Sequence, residues 1–280
     1  MMKKYLLLVS LVAVFLSAYS QGELTTQYCY AFEKGTSTYT FNDSMNLRTA
    51  PRLKAAVRDT LAMGTEVFID EKIDSLMTAS GKEAPWYLVH YTKNTENRTG
   101  YVWGGNLCLN PMRRTDIKFL IGLKGLAKRK SKGSNESFDV MVAELKVLRN
   151  DSLLDRVSWD LWSTEGFAYN GSRVLPASGL KDVKYLLQTL FSGGACGIPT
   201  ITQYLAWTGE KLLLLPQLMS VADAGVFSHD EQFVFPTDKN GKPGTIIKTI
   251  EDEETDEKEH TTSKKSTMRF IWNGEKAIKQ

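Results

Sequence analysis

The sequence has few of the residues from which catalytic and metal centres are usually built. Its 280 residues include only three histidines and three cysteines, and neither set has the close spacing of zinc ligands. It also contains no glycine-rich phosphate-binding loop and no serine-nucleophile elbow. We therefore expect no metal and no cofactor, and we consider a binding role before an enzymatic one.

The sequence also lacks a strong net charge and, beyond its first 20 residues, any long apolar run. The formal charge of +3 falls to +1 without Lys3 and Lys4 (3 − 2 = 1), which is too small to indicate a nucleic-acid partner. No later stretch approaches the roughly 20 apolar residues that span a bilayer. The 42% hydrophobic content is ordinary for a folded protein, and the length favours two domains.

The first 20 residues have the pattern of a cleaved signal peptide. "MMKK" is a basic start, "YLLLVSLVAVFL" is an apolar run, and Ala18 and Ser20 are small residues near a cleavage site. We expect cleavage after Ser20, export to the periplasm or the medium, and a short N-terminal segment at 21–34. A transmembrane anchor is the alternative.

The exported chain would carry three cysteines, Cys29, Cys108 and Cys196. An odd number allows at most one internal disulfide and leaves one thiol over. A Cys29–Cys108 pair would tie the N-terminal segment to the end of the first domain. Three buried free thiols are the alternative.

Residues 35–111 have the pattern of a small β-barrel. "NLRTAP" predicts a strand that stops at a proline, "VRDTLAMGTEVFI" predicts two strands about a glycine turn, and "WYLVHY" alternates as a half-buried strand does. "GYVWGGNLCL" predicts a last short strand. Five short strands in one segment, with no helical periodicity in its sequence, are typical of a small barrel.

The order of these motifs resembles the bacterial SH3 domain family. The resemblance extends over about a quarter of the chain. Its matching phrases are "NLRTAP" at 46–51, "MGTEV" at 63–67, "WYLV" at 86–89 and "GYV" at 100–102. Two departures are an insertion at 70–85, longer than a minimal hairpin, and Trp103, where the family more often has a small polar residue.

The resemblance implies a binding or targeting module of exported proteins, often found beside a cell-wall hydrolase domain. Aromatic side chains can stack on a sugar or a peptide, so the candidate contacts are Trp86, Tyr101 and Trp103. Trp86 and Tyr101 are expected to close the barrel core. Trp103 is the better surface candidate, because two glycines follow it at a strand end. The expected ligand is peptidoglycan, a glycan or an envelope protein.

Residues 112–280 are predicted to form a second β-rich domain, a β-meander or a β-sandwich with at most one or two short helices. "FDVMVAELKVLRNDSLLDRVSWDLW" predicts two strands around a turn at Asn150 and Asp151. "GLKDVKYLLQTLF" at 179–191 places four apolar residues on one helical face and predicts a helix.

Three similar phrases recur in this second domain: "FAYNGSRVL", "YLAWTGEKLLL" and "RFIWNGEKAIK". Asn-Gly between apolar runs is typical of a tight hairpin, since a type I′ turn needs positive φ at both central residues. We therefore expect Gly171, Gly209 and Gly274 at hairpin turns, and Trp207 and Trp272 at equivalent packing positions. The repetition predicts how the domain is built, and it says little about what the domain binds.

Two charged stretches are predicted to be solvated loops. Residues 113–132 hold eight basic residues and one acid, and they include the predicted strand "IKFLIGLKGLA". The stretch lacks the interleaved aromatics of a nucleic-acid site. Residues 251–260 hold seven acids, without the alternating acids and central glycine of a calcium-binding EF-hand loop.

The most enzyme-like phrase is "SGGACGIPT" at 192–200. An exposed Cys196 could act as a nucleophile with His229 as its base and Asp230 adjacent, as in a cell-wall peptidase. A small buried cysteine at a glycine-rich bend is the other interpretation. Our primary prediction is an exported, non-enzymatic protein that binds at the cell envelope. The alternatives are this peptidase and a structural adaptor that binds a protein through its C-terminal domain.

Overall fold

The computed structural model describes residues 26–27, 31–131, 133, 136–161, 168–193, 196–223, 225–256 and 258–280. The expected signal peptide at 1–20 and Cys29 lie outside these residues. Within the described part the chain is nearly all β, as the sequence predicts, with one short 3₁₀ turn at Gly104–Asn106 and no α-helix. No helix there is long and apolar enough to cross a membrane.

The first sheet is built from the N-terminal part of the chain and curls into a half-barrel. Its strands are β1 (Thr26–Gln27), β2 (Ser37–Tyr39), β3 (Ser44–Arg48), β4 (Val57–Ala62), β5 (Glu66–Ala79), β6 (Lys82–Lys93) and β7 (Glu96–Trp103). Their order is β2-β5-β6-β7-β3-β4, and β1 pairs in parallel with the start of β6.

The core of the first sheet follows from strict alternation along its strands. On β6, Tyr87, Val89 and Tyr91 point inward and are almost fully buried, as expected where successive side chains face opposite sides of a sheet. Val102 on β7 and Leu47 on β3 join them in one apolar cluster. The pattern "WYLVHY" therefore predicts this strand correctly, with its second, fourth and sixth residues inside.

The predicted insertion at 70–85 is an extension of the β5–β6 hairpin, with register shifts between Ile69 and Glu71 and between Ile73 and Leu76. The two strands pair out to Ala79 and Lys82, and the connection is the two residues Ser80 and Gly81, with φ of 54° and 72°. Positive φ at both positions is the geometry of a type I′ turn, which matches the twist of the flanking strands. The extra residues thus lengthen a hairpin rather than form a loop.

The second sheet is an antiparallel meander that packs directly against the first. It contains β8 (Asn110–Arg114), β9 (Ile117–Lys130), β10 (Ser137–Arg149) and β11 (Ser152–Leu161), in the order β11-β10-β9-β8. The predicted turn at Asn150 and Asp151 joins β10 to β11, with positive φ at both residues. Phe41, Leu120 and Leu148 belong to the apolar cluster between the two sheets.

The third sheet is a longer meander with apolar side chains buried on both of its faces. Its strands are β12 (Ala168–Leu175), β13 (Tyr185–Ser192), β14 (Thr200–Trp207), β15 (Leu212–Leu214), β16 (Leu218–Asp223), β17 (Phe227–Val234), β18 (Thr245–Thr255), β19 (Thr261–Trp272) and β20 (Ala277–Lys279). One face packs on the second sheet, where Phe119 meets Trp207 edge-on at 6.1 Å. The predicted meander or sandwich is therefore confirmed.

The helix predicted at 179–191 is wrong, because residues 185–192 form strand β13, which lies between β12 and β14. Two consecutive leucines of this strand face opposite sides: Leu187 lies in the core shared with the second sheet, and Leu186 lies in the core within the third sheet. A strand buried on both faces has a continuous apolar run, which periodicity alone cannot distinguish from a buried helix.

The three glycine turns have two different structures. Gly171, predicted at a hairpin turn, lies inside β12 at a β-bulge, where the register shifts between Tyr169 and Gly171. Its φ of +127° meets the need for an unusual backbone angle at a bulge. Gly209 and Gly274 do lie in hairpin turns, as predicted.

The hairpins at Gly209 and Gly274 share one detailed geometry. Each turn has four residues, and the side-chain oxygen of the first, Thr208 or Asn273, accepts the N–H groups of the third and fourth. Such side-chain turns explain the preference for these residues. The preceding Trp207 and Trp272 are both buried, but they lie in different cores. They are equivalent in the hairpin and not in the packing.

Candidate functional site

An open depression of about 150 Å³ lies on the first sheet and includes the beginning of β6 and the end of β7. Its walls combine apolar, cationic and amide side chains, the mixture typical of ligand sites. The lining residues are Ser44, Met45, Asn46, Arg48, Leu53, Met77, Trp86, Trp103 and Asn106. Two of the three predicted aromatic contacts line it, so we take it as the candidate binding site.

Trp103 is held by the extended hairpin rather than displayed at the surface. Its indole Nε1–H donates to the carbonyls of Met77 and Ala84, at 3.2 and 3.0 Å. Its ring covers Gly105, where an added Cβ would come within 2.4 Å of the ring. Only 6% of Trp103 is exposed. The expectation of a surface residue is wrong, because the 70–85 extension covers this side chain.

Trp86 is almost fully buried, as predicted for a residue that closes the core, whereas Tyr101 is only half-buried. Neither belongs to the apolar cluster around Tyr87. Because β6 sends Tyr87 inward, Trp86 lies on the outer face, where it pairs in register with Trp103 and is 3% exposed. Tyr101 is half-buried and lies opposite Arg48 of β3. It does not line the depression. The structure thus brings Trp86 and Trp103 together and leaves Tyr101 to one side.

The loop between β3 and β4 forms the exposed rim of the depression. Arg48 Nη1 donates to the carbonyl of Ala55 at 2.8 Å, and the N–H of Ala55 donates to the carbonyl of Arg52. These bonds fix the loop and present Leu53, which is 57% exposed. Sequence reasoning missed Leu53, because an isolated leucine in a loop carries no periodic signal. Arg48 was visible as part of "NLR".

Two asparagines give the depression amide groups. The Oδ1 of Asn106 accepts from Asn42 at 2.8 Å, and the Oδ1 of Asn46 accepts from Thr60 at 3.3 Å. Neither Nδ2 donates to an acceptor among the described residues. An amide held through its oxygen keeps its two N–H donors for a ligand.

A charged cluster ties β4 to β6 and β7 outside the depression. Asp59 accepts from Lys93 at 2.8 Å, from Arg98 at 3.1 Å and from the Tyr91 hydroxyl. The hydrogen bond from Lys93, and to a smaller extent the one from the Tyr91 hydroxyl, holds the pKa of the Asp59 carboxyl well below its usual range. Burial, with Asp59 beside it, raises the pKa of Tyr91 to about 12. All four side chains have protein partners, so the cluster is a structural one.

The residues of the alternative peptidase site are not joined. Cys196 is exposed in a turn, and no hydrogen bond links its described side chain to His229. The His229 ring instead bonds Asp252 through Nδ1 at 2.6 Å and lies 3.4 Å from Glu231 through Nε2. Asp230, the expected partner in the sequence, accepts from a serine on the neighbouring strand.

The two described cysteines are both free, and they differ in environment. Cys108 is fully buried, and burial raises the pKa of its thiol to about 12. Cys196 is exposed, so the expectation of three buried thiols is wrong for this residue. The predicted Cys29–Cys108 disulfide depends on a residue outside the described part of the chain.

Both charged stretches belong mainly to strands. Residues up to Lys130 continue β9, as predicted only for its first part, and Lys128 lies 3.5 Å from Asp139 on the neighbouring strand β10. Residues 251–255 continue β18, where Glu251 lies 2.6 Å from Lys265 of β19. The predicted loops are wrong at these positions, because opposite charges across neighbouring strands let charged side chains pair within a sheet.

Comparison with known proteins identifies one part of the chain. Residues 43–107 match the family model described as Bacterial SH3 domain, which confirms the resemblance expected for 35–111. Searches of curated proteins and of solved structures found no match. No group of histidine, cysteine and acidic side chains within the described residues is placed to hold a metal ion. All lining residues of the candidate depression fall between 44 and 106, so the depression lies within the matched segment.

Proposed function

We propose that this protein is an exported binding protein of the cell envelope, with peptidoglycan as the ligand of its SH3-like module. Bacterial SH3 domains often bind peptidoglycan, and residues 43–107 match that family. The observation that carries the proposal is the depression within the matched segment, where an exposed leucine, a fixed arginine and two asparagine amides surround two tryptophans.

The depression suits a ligand that is part sugar and part peptide. Trp86 and Leu53 offer apolar contact to ring C–H groups or to small side chains, and Asn46 and Asn106 offer N–H donors to amide carbonyls. Arg48 is positioned by its bond to the loop carbonyl of Ala55 and supplies a cation for a peptide carboxylate. Peptidoglycan presents all three kinds of group.

The test is a pull-down of residues 21–280 with purified sacculi, comparing the wild type with Leu53→Ser. Leu53 is 57% exposed, so its replacement leaves stability nearly unchanged, within about 0.5 kcal/mol. Loss of its apolar contact with a ligand corresponds to about 1 kcal/mol, or roughly fivefold weaker binding. This variant is a cleaner probe than a Trp103 variant, because Trp103 is structural.

Leu76→Ser is the matched control for this experiment. Leu76 lies on β5 of the same module, is 49% exposed, and does not line the depression. We expect it to bind like the wild type. Failure of the wild-type chain to enrich on sacculi overturns the proposal, and equal weakening by both leucine variants shows that the depression is not the contact.

We propose that the protein acts without catalysis. Cys196 is exposed and has no hydrogen bond to the His229 ring, which bonds Asp252 instead. This separation supports the role, and the peptidase hypothesis makes a different prediction. A peptidase that uses Cys196 would release soluble fragments from sacculi, and Cys196→Ala would abolish the release. Fragment release that depends on Cys196 would refute the non-enzymatic role.

The location is proposed from the leader pattern at 1–20. Expression of the full chain followed by cell fractionation and N-terminal sequencing tests it. We expect a chain that begins at Gln21 in the periplasm or the medium. A full-length chain in the cytoplasm or the membrane would overturn this part of the proposal. The adaptor role of the C-terminal domain stays a prediction.

A further inference from the structure

Lys82 connects three separate parts of the molecule next to Trp103, which lines the candidate depression. It follows the hairpin turn at the start of β6 and is 6% exposed. Its Nζ donates to the carbonyl of Gly105 at 2.6 Å and to the carbonyl of Leu123 at 3.0 Å. Gly105 lies beneath the Trp103 ring, and Leu123 belongs to β9 of the second sheet. One ammonium group thus joins the hairpin, the turn after β7 and the second sheet.

The same ammonium also contacts Trp103. The Nζ of Lys82 lies 5.3 Å from the centroid of the Trp103 ring, within the range of a cation–π interaction. The ring is fixed from its other end by the bonds of its Nε1–H to Met77 and Ala84. The orientation of Trp103 therefore depends on the hairpin and on Lys82 together.

The tip of the hairpin docks on the second sheet next to Lys82. The N–H of Leu126 donates to the carbonyl of Ser80 at 2.9 Å, at the bulge where the β9–β10 register shifts. Gly125 makes this approach possible: an added Cβ would lie 2.6 Å from the Ser80 oxygen, and its φ is +124°. The second sheet is shaped to receive this hairpin tip.

We propose that Lys82 is the positioning residue of the candidate binding site, and that the second sheet, through Leu123, sets the geometry of that site. This inference rests on the proposed function for its ligand, but its structural part can be measured without a ligand. It gives the 70–85 insertion a role. The insertion brings Lys82, and the two carbonyls that accept the N–H of Trp103, to the second sheet. The SH3-like module then binds its ligand at full strength only while Lys82 holds these contacts.

The experiment compares Lys82→Met, Lys82→Arg and Lys118→Met in the chain 21–280. Lys118 is the matched control, because it also joins the two sheets: its Nζ lies 2.6 Å from Asp151, contacts Gly64 and sits over the Tyr39 ring at 4.7 Å. Lys118 does not touch Trp103 or Gly105. Both methionine variants are expected to lower stability, and only Lys82→Met changes the depression.

Two readouts separate positioning from stability. Binding to sacculi is expected to weaken about fivefold in Lys82→Met, the equivalent of one cation–π contact on the Trp103 ring, and to recover in part in Lys82→Arg. The indole ¹H–¹⁵N resonance of Trp103, assigned with Trp103→Phe, is expected to shift and to exchange faster in Lys82→Met. Both readouts stay at wild-type values in Lys118→Met. If Lys82→Met does not fold, Lys82→Gln takes its place, since a shorter neutral donor cannot reach both carbonyls.

The outcomes distinguish this inference from the proposed function. A wild-type chain that does not bind sacculi overturns the proposed ligand, and the Trp103 resonance still decides whether Lys82 positions the ring. An unchanged Trp103 resonance in Lys82→Met overturns the positioning role, whatever the chain binds. Equal weakening of binding by Lys118→Met shows a general effect of docking and also overturns it.

Discussion

The buried pair Glu144 and Lys146 on β10 provides a quantitative test of how the first two sheets are joined. Both side chains are 4% exposed and lie 3.6 Å apart. The Nζ of Lys146 donates to the carbonyl of Phe41 at 2.8 Å and sits 4.5 Å from the centroid of the Phe41 ring. The perturbation is Lys146→Met, which keeps the aliphatic stem and removes the charge.

The expected loss of stability follows from the partners that remain. Removing one member of a buried ion pair typically costs about 3–5 kcal/mol, because the other charge stays buried. Glu144 keeps two partners, Ser158 at 3.0 Å and Lys124 at 3.3 Å, so the loss is expected near the lower end, about 3 kcal/mol. The orphaned carbonyl of Phe41 contributes to this value, since a buried acceptor loses its donor.

The assay is urea unfolding followed by tryptophan fluorescence and circular dichroism, with Lys146→Met, Glu144→Gln and the double variant. We expect the double variant to lose less than the sum of the two single losses, because the residues interact. A loss below about 1 kcal/mol in Lys146→Met, in the range of an exposed pair, would refute the reasoning. It would show that this buried pair contributes little to joining the two sheets.

Three further predictions concern separate parts of the chain. In a variant in which Cys29 is replaced by serine, iodoacetamide at pH 8 should label Cys196 rapidly and Cys108 only after unfolding. The reason is that the Cys108 thiol is buried and its pKa is raised to about 12. In Asp59→Asn the free energy of unfolding should decrease less steeply as the pH is lowered, which urea unfolding at several pH values measures. The folded pKa of Asp59 is lowered, so its contribution is present above the unfolded pKa of about 3.9 and is lost as the pH falls through the folded value. Asn273→Ala should cost about 1 kcal/mol, since two turn N–H groups lose their acceptor.

Each of these predictions has a result that would contradict it. Equal labelling rates for the two described thiols would place Cys108 at the surface. An acid slope that is the same in Asp59→Asn and in the wild type would show that its lysine and tyrosine partners do not stabilise the fold. Thr208→Ala is the counterpart of Asn273→Ala in the other hairpin, and a large loss in one with none in the other would end the view that the turns are equivalent.

The fold of the first module could be predicted from its sequence because patterns within short stretches of neighbouring residues indicate it. Alternation in "WYLVHY" predicted the strand and its two faces, and four short motifs in order indicated the family. Trp86 is buried, as predicted. Because successive side chains face opposite sides of a sheet, it lies on the face opposite Tyr87, in register with Trp103.

The errors in the second part have a common physical origin. Residues 185–192 are apolar on both faces because two cores meet at β13, and the third sheet is needed to see this. Residues 251–255 are strand residues paired with β19, where lysines lie across from Glu251 and Asp252. In each case the deciding neighbour is remote in sequence, so tertiary pairing overrides the local preference.

The candidate site shows the same limit at a single residue. Trp103 was expected at the surface because two glycines follow it, yet Gly105 is the residue on which its ring lies. The glycine signals close approach of a side chain to the backbone, which is one of the standard reasons for glycine at a strand end. The ring in turn needs Met77 and Ala84 from the 70–85 extension and Lys82 from its tip. A longer hairpin that looked like a departure from the family is therefore what holds this tryptophan, and deleting 70–85 should release Trp103 rather than merely open the depression.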